Sequence, residues 1–180
     1  MPLRKASSYS HKKTRPFTRK SRSKGKDYIK VVPGIKIAKF HIGDQKGYQE
    51  GKHKFVVRLI SEERVVIRDN AIEAGRMLVT KMMDEKAPGQ YYLGIKIYPH
   101  HMLRENKSAG GMAGADRISS GMTQAYGVVI GRAAIVRPGQ DLFIVSCVDE
   151  KSAREARDAL NMIRTKMPCR TKVSFEKLSK

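Results

Sequence analysis

Two stretches of this chain follow one plan, and that plan narrows the fold more than any other feature. Pro88 follows Asp69 by 19 positions, and Pro168 follows Asp149 by the same 19. Each stretch opens on residues suited to a helix N-cap and closes on a residue that cannot continue a helix. In the first, Asp69 and Asn70 are candidate caps, and Glu73 completes a capping box with Asn70. Apolar residues at 71, 72, 74, 78, 79, 82 and 83 then recur at helical spacing. They predict a helix over 70–86, stopped by Pro88-Gly89. In the second, Asp149 and Ser152 are candidate caps, the latter with Glu155. Ala153, Ala156, Ala159, Leu160, Ile163 and Met167 form one apolar face.

Strand patterns flank both helices. Ile35 and Ile37 alternate with polar neighbours, and Phe55–Ile60, Val65–Ile67, Tyr91–Pro99, Val128–Val136, Leu142–Val148 and Lys172–Phe175 read as further strands. The apolar phases of the two helices do not match residue for residue, so the repeat is one of supersecondary plan only. Two helices among about seven strands predict an α+β fold: a two-layer sandwich, with a mixed, mostly antiparallel sheet and both helices on one face. Met77, Met82, Met83, Met162 and Met167 are expected to fill its core.

Charge points to the partner. The 180 residues carry 37 Lys and Arg against 17 Asp and Glu, a formal net charge of +20. Such a chain is most compact when a polyanion neutralises it. Half of the excess sits in residues 1–30, which hold 11 Lys and Arg and one acid, Asp27. Arg4, Lys5, Lys12, Lys13, Arg15, Arg19, Lys20, Arg22 and Lys24 are interleaved with Tyr9 and Phe17, and Pro16 blocks a continuous helix. Without apolar periodicity this stretch cannot bury itself. It is expected to be a basic arm that gains structure on binding a polyanion, nucleic acid before an anionic membrane surface or an acidic protein, ahead of a single globular domain at 31–180. No apolar run of about 18 residues is present to span a bilayer, and the N-terminus lacks the apolar region of a secretory signal. Cys147 and Cys169 lie in no metal-binding pattern, and they read as one core thiol and one loop thiol in a reducing compartment.

A third feature is a long segment at 100–127, expected to be a loop inside the domain. Loops of that length are usually functional. Gly110, Gly111, Gly114, Gly121 and Gly127 permit close backbone approach to a partner. Arg104, Lys107 and Arg117 can reach phosphates, while Asn106, Ser108, Ser119, Ser120, Thr123 and Gln124 offer neutral hydrogen bonds to sugars and base edges. Glu105 and Asp116 offset part of the charge, so the segment is shaped rather than simply cationic. It lacks the Gly-Lys-Ser/Thr signature of a phosphate-binding loop. His100 and His101 are adjacent, with no further ligand at matching spacing, so no metal or other cofactor is expected. Asp116 or Glu105 beside a histidine has no nucleophile or paired carboxylate to work with, so no catalytic residues are assigned.

The segment Tyr98-Pro-His-His-Met-Leu-Arg-Glu-Asn-Lys, continuing through Ala113-Gly-Ala-Asp-Arg-Ile-Ser-Ser-Gly-Met-Thr-Gln-Ala-Tyr-Gly127, resembles the central loop of a universal large-subunit ribosomal protein family. That family is numbered sixteen in bacteria and ten-e in archaea and eukaryotes. The likeness extends to Val32-Pro-Gly-Ile-Lys-Ile, to Phe40-His-Ile-Gly43, to Tyr9, Lys13, Pro16 and Phe17 of the arm, and to Ile163-Arg-Thr-Lys-Met-Pro168. The bacterial loop is richer in Lys and Gly, and the eukaryotic arm carries cysteines absent here, so the archaeal type fits best. The resemblance implies a structural, non-enzymatic protein of the large subunit, in the cytoplasm. It implies large-subunit rRNA and neighbouring ribosomal proteins as partners, with the arm wedged between RNA helices. It places His100, His101, Arg104, Asn106, Lys107, Gly110, Gly111, Gly114, Asp116, Arg117 and Gly121 near the peptidyl-transferase region and the tRNA acceptor arm. Nothing in the sequence points to self-association. An RNA-modifying enzyme and an architectural DNA-binding protein stand as the alternatives.

Overall fold

The apolar run that begins at Phe55 becomes the pivot of the larger sheet. In the computed structural model, which describes residue 29 and residues 31–105 and 127–178, strand β1 is His41–Gly43, helix α1 is Gln45–Gln49 and strand β2 is Phe55–Ser61. Strand β3 (Val65–Arg68), helix α2 (Asp69–Lys86), strands β4 (Tyr91–Ile95), β5 (His101–Glu105), β6 (Val128–Val136) and β7 (Asp141–Cys147) follow. Helix α3 (Glu150–Ile163), a 3-10 turn (Arg164–Lys166) and strand β8 (Thr171–Lys177) complete the described chain. The fold is α+β, and every described strand pair is antiparallel.

The predicted single sheet is in fact two. One has the order β1-β4-β7-β2-β8 and the other the order β3-β6-β5. Strand β6 explains the second sheet. Its nine residues outrun either neighbour, so Val65–Arg68 pairs along one half and His101–Glu105 along the other. The two repeated units are therefore not copies. In the second, β7 and β8 flank β2, both antiparallel to it, and α3 carries the chain across. In the first, α2 leads from the small sheet to the large one.

Helix α3 buries the predicted face, Ala153, Ala156, Ala159, Leu160 and Ile163. It packs on β2, β7 and α2. Gly75 of α2 makes the helix pair close: an added Cβ would sit 3.2 Å from Ile163 and 3.1 Å from Phe143. Lys86 of α2 also pairs with Glu155 of α3.

Several local expectations are corrected. Ile35–Ile37 forms no strand. Its neighbours' amides instead find carboxylates of α2: Lys36 N–H donates to Asp69 Oδ2 and Ala38 N–H to Glu73 Oε2, both at 3.2 Å. That use removes the first capping box. Arg68 is the N-cap, with no side-chain bond, and Glu73 is held by Arg76. Asp149 caps α3 without a side-chain bond, and Ser152 lies inside the helix, its hydroxyl 3.5 Å from Gln90 Oε1. Strand β4 ends at Ile95, before Pro99, which has no N–H to give a ladder. Met83 and Met167 are buried as expected, but Met77 and Met162 are 58% and 53% exposed.

Two features of this frame give tests. Gly43 has φ +87°, and a Cβ there would lie 2.1 Å from the Tyr91 carbonyl oxygen. Backbone cannot yield as a side chain would. Gly43→Ala is expected to cost about 2 kcal/mol or more, lowering Tm by roughly 4 °C or more in a thermal melt. A melt unchanged from the parent contradicts the assigned register. The second test is acid stability. The Arg76 guanidinium, donating to Glu73 at 2.8 and 2.5 Å, holds that carboxyl below its ordinary value of 4.5, and the Ala38 amide adds to the effect. A carboxyl depressed in the folded state stabilises fully above the unfolded value and loses that contribution as pH falls through the folded one. Stability should therefore fall on acidification below about pH 4.5, and denaturant melts of Glu73→Gln should show a flatter fall there.

Candidate nucleic-acid interface

The segment expected to be a loop from residue 100 opens as a strand. His101–Glu105 is β5, at the edge of the small sheet, and it pairs with β6 from His101↔Ala133 to Glu105↔Val128. The register shifts between Leu103 and Arg104. The loop proper is thus the connection of a β-hairpin, with its two ends held side by side by the ladder. Arg104 reinforces that neck: its Nη1 donates to the Gly127 carbonyl at 2.8 Å. Part of this predicted RNA contact is therefore committed to closing the loop's base. Arg132 of β6 donates to the Pro33 carbonyl at 2.7 Å and ties the chain before β1 to the same hairpin.

The adjacent histidines separate. His101 is buried and His100 exposed, as the alternation of an extended chain dictates. They do not converge on one site. Among the described residues, no three His, Cys, Asp or Glu side chains are grouped to hold a metal ion. Of the predicted site residues, His100, His101 and Arg104 are described. The arm residues from Arg4 to Lys24, and Asn106, Lys107, Gly110, Gly111, Gly114, Asp116, Arg117 and Gly121, lie outside the described residues. Ile29, at the end of the expected arm, is buried.

Around the hairpin's entry the structure sets beside the predicted His100 three residues that sequence reasoning did not assign to the site, Phe40, Lys96 and Tyr98. Lys96, Tyr98 and His100 are exposed, while Ile97, Pro99 and His101 are buried. Tyr98 stacks on Phe40 with ring centroids 5.5 Å apart, and His100 lies 4.4 Å from Tyr98. The signal was present: the strand-like alternation continues past Pro99 into the histidines.

A second missed cluster joins a serine, a histidine and an aspartate. His53 Nδ1 lies 2.5 Å from Ser146 Oγ, and its Nε2 lies 3.5 Å from Asp44 Oδ2. The types match a nucleophilic triad, but the surroundings do not. Ser146 is fully buried in β7, where no substrate carbonyl can reach it. Asp44 is engaged as the cap of α1, accepting the Gly47 N–H at 2.8 Å. That bond, with the neighbouring His53 and Lys52, holds its carboxyl below the ordinary value. The cluster fastens α1 to the sheet. The thiols are equally unsuited to attack. Burial pushes Cys147 up to about 12 and also raises Cys169, so both stay protonated. Among the described residues, no helix is long and apolar enough to cross a membrane.

The family profile of ribosomal protein L16p/L10e matches residues 12–174. A large ribosomal subunit protein uL16 from Staphylothermus marinus is 38% identical over 179 residues, covering 99% of this chain and 96% of its own. One from Caldivirga maquilingensis is 39% identical over 180 residues, covering 99% and 98%. One from Archaeoglobus fulgidus is 39% identical over 164 residues, covering 91% and 87%.

Proposed function

This chain belongs to the L16p/L10e family of ribosomal proteins, and on that footing we propose that it binds large-subunit rRNA through two separate devices. As a family member of archaeal type it is a structural, non-enzymatic constituent of the large ribosomal subunit, and so works in the cytoplasm. Residues 1–30 supply affinity. The loop beyond Arg104 supplies shape, and it stands near the peptidyl-transferase region and the tRNA acceptor arm. Neighbouring ribosomal proteins complete the surroundings.

The observation that carries this reading is the division of charge. Eleven Lys and Arg and one acid occupy the first 30 residues, while the segment 100–127 is glycine-rich and only mildly basic. Counterion release makes a dense cationic arm the main source of sequence-independent affinity. A mildly charged loop contributes little of that, and its glycines and amides suit close fitting to folded RNA. The hairpin ladder and the Arg104–Gly127 bond support the loop's role by fixing the direction in which its ends leave the domain.

The test is a salt-matched competition between protein-free large-subunit rRNA and duplex DNA of equal nucleotide content. The proposal predicts retention of the protein on rRNA. Equal partition between the two would favour an architectural DNA-binding protein instead.

A further inference from the structure

We propose that Phe40, Tyr98 and His100 form a stacking platform for an unpaired RNA base. This rests on the rRNA-binding reading and deepens it by naming a contact of a different kind from the arm's. The three rings make a continuous column, with centroids 5.5 and 4.4 Å apart. The first pair is close to parallel, at 20°, and the second is tilted, at 45°. The column ends in solvent: Tyr98 is 42% exposed and His100 is exposed.

The rings are held, not loosely draped. Ile95 N–H donates to the Phe40 carbonyl at 2.9 Å, which joins the two segments that supply the column. His100 N–H donates to the Tyr98 carbonyl at 3.0 Å and turns the chain tightly between the two rings. Buried Ile97 and His101 anchor the backbone on either side. A platform fixed before binding loses little conformational freedom when a base lands on it.

The charge nearby selects the occupant. Lys39, next to Phe40, and Lys96, two residues before Tyr98, are both exposed. Aromatic faces flanked by lysines suit a nucleotide, whose base stacks and whose phosphates meet the cations. A stacked base needs no particular sequence, because every base has a π-face. The base must be unpaired, since a base within a duplex has no free face.

The test uses the full chain and protein-free large-subunit rRNA, with affinity measured across a salt series. The double variant Tyr98→Ala/His100→Ala is expected to bind roughly 10- to 100-fold more weakly, with the salt slope unchanged. Tyr98→Phe/His100→Phe keeps the ring faces and is expected to bind within about twofold of the parent. Ultraviolet crosslinking followed by trypsin should leave a nucleotide on the peptide Ile97–Arg104. An alanine variant that binds like the parent, a phenylalanine variant as weak as the alanine one, or a crosslink from that peptide to protein alone overturns the platform. If the parent chain itself fails to bind the rRNA, the rRNA-binding reading falls with it. If the parent binds and both variants match it, the platform alone falls.

Discussion

Removing residues 1–28 is expected to weaken binding to large-subunit rRNA by roughly a thousandfold or more at low salt, and to flatten the salt dependence of what remains. The truncation stops before Ile29 because that side chain is buried and belongs to the domain's packing. The deleted stretch carries ten Lys and Arg and one acid. Each phosphate neutralised contributes about 0.7–0.9 to the log–log slope, so six such contacts would give a slope near 5. The globular part should keep its melting temperature, because its core is built from β2, β4, β7 and the two long helices. Equal affinity before and after truncation would show that the arm is not the source of binding.

Replacing residues 110–121 with a short linker is expected to abolish most peptide synthesis while sparing the fold. The hairpin explains why the fold survives. Glu105 and Val128 are ladder partners, so the loop's two ends stand about 5 Å apart and a few residues can join them. Among the described residues, the larger core cluster is built on β2, β4, β7 and the two long helices, outside the hairpin's connection. Nothing in the loop is proposed to supply chemistry, so the loss would come from misplaced tRNA rather than a missing catalytic group. Poly(U)-directed synthesis by subunits carrying the variant reads this directly. Normal rates would remove the loop from the account.

The parts of this fold written in apolar spacing were legible. The α3 face from Ala153 to Ile163 is legible residue by residue because helical periodicity reports burial, and the bounds of Val128–Val136 follow from its β-branched run. What failed was everything decided by a distant partner. Glu73 reads as a capping residue in its own window, yet in the structure it serves Arg76 and the amide of Ala38, 35 positions away. The split into two sheets depends on which strands find β6, and no local window contains that choice. His101–Glu105 lacks an alternating pattern, three buried residues preceding two half-buried ones, and becomes a strand only by pairing with β6. The candidate site divides in the same way. Charge located the arm, and the loop motif located the family. The Phe40–Tyr98–His100 column joins residues almost 60 positions apart, and no local window of sequence contains that contact.

The central claim is that affinity and function are carried by different segments. Sedimentation of large subunits from cells expressing each variant, through sucrose gradients at high salt, tests it most directly. The account predicts that the chain with residues 110–121 replaced stays with the large subunit at parental occupancy, while the chain lacking residues 1–28 is stripped to the top of the gradient. Retention of the truncated chain together with loss of the loop variant would contradict it.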